Sequence, residues 1–230
     1  VSDSAVVDGP VEITVKPLGK DDAMGEVEVG VWFSNSVDGE PDVRGLTDLS
    51  GQLQLTLPLC TPVTYRALRV LDTEVTYKAN MVFNPAAPTA DFTVVENVTA
   101  ASIQAMLTES ADAMSSIVAG TAYDCAGEPL ANARVRLRDS NGEIWESGRD
   151  YYFNAAGYPT KRRHQDYTNV DGKWVLFDVP QGDVFIELYG NVCGTDGRCD
   201  ELVLGTSPIT SIGESINIGN VFAGVQSGVS

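Results

Sequence analysis

The sequence predicts an all-β chain of two tandem β-sandwiches joined by a short helical connector, and three observations carry that prediction. A cassette of strand and turn signals occurs twice along the 230 residues. Apolar and polar residues alternate at period two inside each copy. Glycine, proline, asparagine and aspartate punctuate the alternating runs at short intervals, as the turns of a sandwich require.

The second copy shows the cassette most fully. Gly120-Thr121-Ala122-Tyr123-Asp124 leads through Gly127-Glu128-Pro129-Leu130 to a strand in which Ala133, Val135 and Leu137 alternate with Arg134, Arg136 and Arg138. This is the pattern of a strand with one wet face. Thr168 to Leu176 then begins a new alternating run, and Pro180-Gln181-Gly182-Asp183 is a turn ahead of the strand Val184 to Tyr189. In the first half, Val27, Val29 and Val31 alternate with Glu26, Glu28 and Gly30, and Thr47 to Leu55 aligns with Thr168 to Leu176 without a gap. The Ser50-Gly51 and Asp171-Gly172 pairs read as hairpin turns, since glycine takes the positive φ that a tight connection needs.

On these residues each half resembles the carboxypeptidase regulatory-like domain, a transthyretin-type (prealbumin-like) Greek-key sandwich. The resemblance implies a non-catalytic module outside the cytoplasm. It divides the chain into an N-terminal arm (1–10), a first sandwich (11–96), a helical connector (97–116), a second sandwich (117–223) and a C-terminal tail (224–230). The arm and tail are expected to pair with a neighbour's sheet edge. The start Val1-Ser2-Asp3-Ser4 reads as a mature end or a cloning boundary.

Length supports two domains of about 100 residues each. The 32 acidic and 15 basic residues give a net charge of −17, which excludes nucleic acid and anionic membranes as partners. No apolar run reaches the roughly 18 residues that span a bilayer, so membrane insertion is not expected. In the connector, Thr99 is expected to cap a helix over Ala100 to Ser110, with Ile103, Met106 and Leu107 at helical spacing. That helix either orients the two sandwiches or covers an open core edge.

Four cysteines point to an oxidising compartment: secreted, cell-surface or periplasmic. Cys193 and Cys199 flank a short flexible loop and are expected to close a disulfide. Zinc is the alternative, but His164 is the single histidine. Cys60 and Cys125 either bridge the domains or stay as buried thiols.

The second half also carries a segment that the first lacks, Glu143 to Gln165, the densest aromatic and basic stretch of the chain. Tyr151, Tyr152, Tyr158, Arg162 and Arg163 are its candidate partner-binding residues, for another protein subunit, another copy or a glycan. The competing reading is an ordinary hairpin whose aromatics alternate inward and outward.

Catalysis is not expected. Intradiol ring-cleavage dioxygenases share the Gly120 to Pro129 pattern, but their iron site needs two histidines and two tyrosines. Hydroxyisourate hydrolases need several histidines, and no His-x-x-Glu, Gly-x-Ser-x-Gly or phosphate-binding glycine loop occurs. Cna protein B-type domains share the layout, and some carry Lys–Asn/Asp cross-links. Lys16 could be such a lysine with Asp91 after Glu74, yet it reads as an exposed strand residue. No cofactor is expected. Calcium could be held only by Asp21-Asp22, Asp171, or Asp196 with Asp200, none of which has the spacing of a dedicated loop. The function that follows is a non-catalytic secreted or cell-surface structural or adhesive protein, with a subunit of an extracellular assembly or filament as one form of it. The alternative is a carbohydrate- or protein-binding module that uses residues 143–165.

Overall fold

The computed structural model describes residues 7–34, 37, 39–107, 115–145, 149–161, 164–193 and 197–224. The chain divides into two compact units, Val1–Ala101 and Ser102–Ser230. Each is a β-sandwich, and the division falls inside the helix α1 (Asn97–Leu107).

The first unit contains β1 (Asp8–Pro17), β2 (Glu28–Trp32), β3 (Val43–Leu46), β4 (Gln52–Pro58), β5 (Val63–Leu68), β6 (Thr73–Glu74), β7 (Thr76–Met81) and β8 (Thr89–Glu96). One sheet has the order β4-β1-β8-β6 and the other β7-β5-β2-β3. Period-two alternation delivers Val11, Ile13 and Val15 from β1 and Val29 and Val31 from β2 into the space between the sheets. There they meet Tyr65, Phe83, Phe92 and Val94. Tyr65 stacks on Phe92 at a centroid distance of 3.8 Å, and its hydroxyl accepts the N–H of Thr93 (2.6 Å).

The second unit contains β9 (Ser116–Tyr123), β10 (Ala133–Asp139), β11 (Ile144–Trp145), β12 (Asp150–Phe153), β13 (Pro159–Thr160), β14 (Lys173–Val179), β15 (Gly182–Cys193), β16 (Cys199–Ser211), β17 (Ile216–Ile218) and β18 (Val221–Phe222). Its sheets run β13-β12-β14-β9-β17 and β11-β10-β15-β16, with β18 also on β9. The two units share one topology. In each, the first strand pairs antiparallel with one neighbour (β4 or β14) and parallel with a strand near the C-terminal end of the unit (β8 or β17).

A hydrogen-bond lock shows that the repeat seen in the sequence is a repeat in space. Val15 donates its N–H to Gly51 O (2.9 Å) and accepts that of Met24 (2.8 Å). Thr47 Oγ1 accepts the N–H of Val27 (2.9 Å), and Thr47 returns its own N–H to Val27 O (3.0 Å). In the second unit Ala122 bonds Gly172 O (2.9 Å) and accepts from Leu130 (2.8 Å). Thr168 takes the N–H of Ala133 (3.0 Å) and returns its own to Ala133 O (2.8 Å). Both threonines are buried, so the lock satisfies main-chain groups that would otherwise lie unpaired between the sheets. Gly51 and Gly172 take φ of 77° and 65°, and a Cβ on Gly172 would stand 2.5 Å from Ala122 O.

These turns are not hairpins, contrary to the sequence expectation. β3 pairs with β2 and β4 with β1, so the turn at Gly51 carries the chain from one sheet to the other. The helix also begins two residues before the expected cap. Asn97 donates its N–H to Asp72 O (3.0 Å) and its side-chain amide to Leu71 O (3.1 Å), and these tertiary bonds start α1 directly after β8. Leu107 is buried with Ile103 packed beside it, whereas Met106 faces solvent. Residues 8–10, expected in the free arm, belong to β1 and pair with Pro58, Leu57 and Thr56.

Candidate functional site

The inserted segment joins the second sandwich as a hairpin. β12 lies along β14 with Tyr151 opposite Val175 and Tyr152 opposite Trp174, and β13 turns back through Asn154 and Gly157. Tyr152 is 1% exposed, and its hydroxyl accepts the N–H of Val135 (3.0 Å) in the opposing sheet. Burial pushes its phenol well above the ordinary value. Tyr151, on the other face of β12, is 6% exposed because Leu107, Phe177, Val175 and Ile103 cover it. Its ring meets Phe177 edge-on at 5.8 Å. Tyr151 and Tyr152 are therefore core residues, and the expectation that they meet a partner is corrected. Tyr158, at the hairpin turn, is 54% exposed. Arg162 and Arg163 lie outside the described residues.

Lys16 forms an ion pair with Asp91 (2.8 Å) on the outer face of β1 and β8, with side chains 33% and 63% exposed. An open pair of this kind is an ordinary surface contact, worth about 0–1 kcal/mol. Burial lowers the proton affinity of the nearby Lys78 ammonium, and the charge of Asp91 opposes that shift. The same outer face forms a polar depression of about 650 Å³ lined by Glu12, Thr14, Asp48, Gln54, Thr89 and Asp91, among others. Asp48 is held below its ordinary value by hydrogen bonds from Ser50 and Gln52 in its own turn. It acts there as a turn cap.

Sequence reasoning missed a site on the second unit. The outer face of β10 presents Arg134, Arg136 and Arg138, the alternation already visible in the sequence. Arg136 and Arg138 close over Glu187 of β15, leaving that residue only 4% exposed. Arg138 donates to Glu187 Oε1 (3.0 Å), Arg136 bonds Oε2, and the Arg136 guanidinium sits 4.8 Å from the Tyr189 ring centroid. Burial alone would raise the Glu187 carboxyl, but the two arginine hydrogen bonds and charges outweigh it and hold the group below its ordinary range. Arg134 turns instead to Asp166.

Cys60 and Cys125 are free and exposed, so neither is the buried thiol that the sequence allowed. Each sits in a surface turn, Cys60 at a φ of 58°, where no sheet covers it. The β15–β16 register sets Cys193 directly opposite Cys199. Directly opposed antiparallel residues have Cα atoms about 4.5–5.5 Å apart, within the range that a disulfide spans. Intact-mass analysis after alkylation without reductant should therefore find Cys60 and Cys125 labelled and Cys193 and Cys199 protected. Labelling of all four in protein purified under oxidising conditions would reject the bridge.

Among the described residues, no group of three or more His, Cys, Asp or Glu side chains is placed to hold a metal ion. Asp171 accepts the N–H of Lys173 in its own turn (3.2 Å), and Asp196 lies outside the described residues. No described helix is long and apolar enough to cross a membrane.

No protein-family model matches the chain, and no curated protein matches it in sequence. Among solved structures it is similar to the Bacillus anthracis TIE protein, at 16% identity over 94% of this chain with a TM-score of 0.30. The match covers 34% of the TIE chain, so this chain spans about a third of that protein's length. It is similar to the shaft pilin SpaA from Lactobacillus rhamnosus GG, at 10% identity, 97% of this chain, 100% of that chain and a TM-score of 0.29. A third likeness is to BcpA, the major pilin subunit of Bacillus cereus, at 11% identity, 94% and 99% coverage and a TM-score of 0.32. TM-scores of this size carry no inference about what the chain does.

Proposed function

We propose that this chain is a non-catalytic structural protein of a cell surface or extracellular assembly, built from two carboxypeptidase regulatory-like sandwiches and associating with other subunits, its own copies included. The observation that carries this reading is where the chemically distinctive groups lie. Tyr65 and Tyr152 tie sheet to sheet, Glu187 is closed beneath two arginines, and Asp48 and Asp139 cap their own turns. Groups with displaced proton affinity mark active sites when they converge on a cleft, and these hold strands and turns together instead. The depression on β4, β1 and β8 is an open polar sheet face, a form that suits broad contact with a macromolecule.

The alternative of a binding module built on residues 143–165 retains exposed Tyr158 among the described residues. Light scattering over a range of concentrations tests the leading reading. The expected result is a mass that rises above that of the monomer as concentration increases. A monomer at every concentration would remove self-association from it.

A further inference from the structure

Strand β4 is the edge of its sheet, and its hydrogen-bonding phase can be read from the bonds at its two ends. Val15 donates to Gly51 O (2.9 Å) and Leu59 donates to Val7 O (3.0 Å), so the odd-numbered residues of β4 face β1. Leu53, Leu55 and Leu57 thus turn their main-chain groups inward along the sheet, and Gln52, Gln54 and Thr56 turn theirs outward. Gln52 is engaged by Asp48, which donates its N–H to Gln52 O (2.9 Å) and accepts that of Gln52 on Oδ1 (2.9 Å). No described residue bonds the main-chain N–H or C=O of Gln54 or Thr56, and both residues are exposed.

The second unit shows what this edge accepts. Val175 and Phe177 occupy there the places of Gln54 and Thr56, by the same alignment that pairs Thr168 with Thr47. Both are covered by β12 and the residue before it: Val175 lies opposite Tyr151, and Phe177 donates its N–H to Arg149 O (3.1 Å). The first unit passes from β3 directly into the Thr47 turn and has no inserted hairpin to place on β4.

We propose that the β4 edge receives β4 of a second copy of this chain, antiparallel about a two-fold axis at Leu55. Gln54 then bonds Thr56 of the second copy, and the reverse. The inference rests on the reading of a self-associating subunit and names its contact. Charge selects the occupant. Two copies each carrying −17 repel, yet β4 is seven residues, QLQLTLP, without a charge. The other strands at sheet ends are less suited: β3 carries Arg44, β6 carries Glu74, β11 follows Glu143, β13 is only Pro159 and Thr160, and β16 carries Asp200 and Glu201. Gln and Thr facing each other avoid the like-charge cost of a cross-strand pair. The edge also lacks the lysine or bulge by which monomeric proteins block such pairing, and only Pro58, at the end of the strand, stops the ladder.

The test is residue-resolved hydrogen–deuterium exchange on the full chain at rising concentration, with sedimentation velocity alongside. The Gln54 and Thr56 amides should exchange freely in dilute protein and slow as the mass rises. Gln54→Pro removes an outward donor without touching the β1 ladder and should weaken association by about tenfold or more. Should that variant misfold, the double change Gln54→Glu with Thr56→Glu sets carboxylates against one another at exposed positions. It should give the same loss with an unchanged circular dichroism spectrum. If mass rises while both amides keep their dilute exchange rates, the copies meet elsewhere and the edge proposal falls while self-association stands. If the amides are protected even at infinite dilution, the chain covers its own edge and the proposal falls. A monomer at all concentrations overturns both.

Discussion

Replacing Phe92 with alanine should destabilise the first unit by about 3–5 kcal/mol, the range for truncating a fully buried aromatic side chain. Phe92 is fully buried in the first core, stacked on Tyr65 and lying 6.3 Å from the Phe83 ring. The change removes apolar burial, opens a cavity that strands held by ladders on both sides cannot collapse into, and frees Tyr65 from its stacking partner. Calorimetry is the measurement. A loss of this size corresponds to a fall in melting temperature of more than about 10 °C for a domain of this length. Phe177→Ala should have a comparable effect on the second unit, because Phe177 is the buried contact of Tyr151 and Leu107. A loss below about 1 kcal/mol for Phe92→Ala would show that this core is not packed as described.

The second large effect is electrostatic and depends on pH. Glu187→Gln should cost the second unit about 1–3 kcal/mol at pH 7, since two arginines lose the charge that they enclose. The arginines remain about a quarter exposed and can rehydrate, which keeps the loss below that of a fully buried pair. The folded-state carboxyl titrates below its ordinary value of 4.5. Its contribution is therefore complete above that value and disappears as pH falls through the lower folded value. The stability gap between parent and variant should accordingly narrow on acidification from pH 7 to pH 3, measured by denaturant unfolding. A gap of equal size at both pH values would assign the loss to packing and not to charge.

How far the candidate site could be read in advance differs from residue to residue. The alternation Arg134-Val135-Arg136-Leu137-Arg138 places the arginines on the wet face, and that is where they stand. The burial of Glu187 beneath them was not legible, because it depends on side chains brought from a strand about fifty positions earlier in the chain. Tyr151 and Tyr152 fail for a related reason. Consecutive strand residues point to opposite faces, so a sequence pattern suggests that one of the two is exposed. The face that would be open is closed by Ile103 and Leu107 of α1.

The sequence by itself determined the all-β class, the internal repeat and the turn glycines. Period-two alternation and positive φ are local properties, and a ladder or a tight turn reads them directly. Thr47 and Thr168, aligned by sequence, make the same bonds in space. Only the tertiary structure decided that the turn at Gly51 crosses between sheets, that Tyr151 and Tyr152 are core, and that no described strand covers the outer edge of β4 while β12 covers that of its counterpart β14. Each of these depends on which strand or helix lies next to a residue across long stretches of chain. Burial and main-chain pairing belong to that neighbourhood and not to the residue alone.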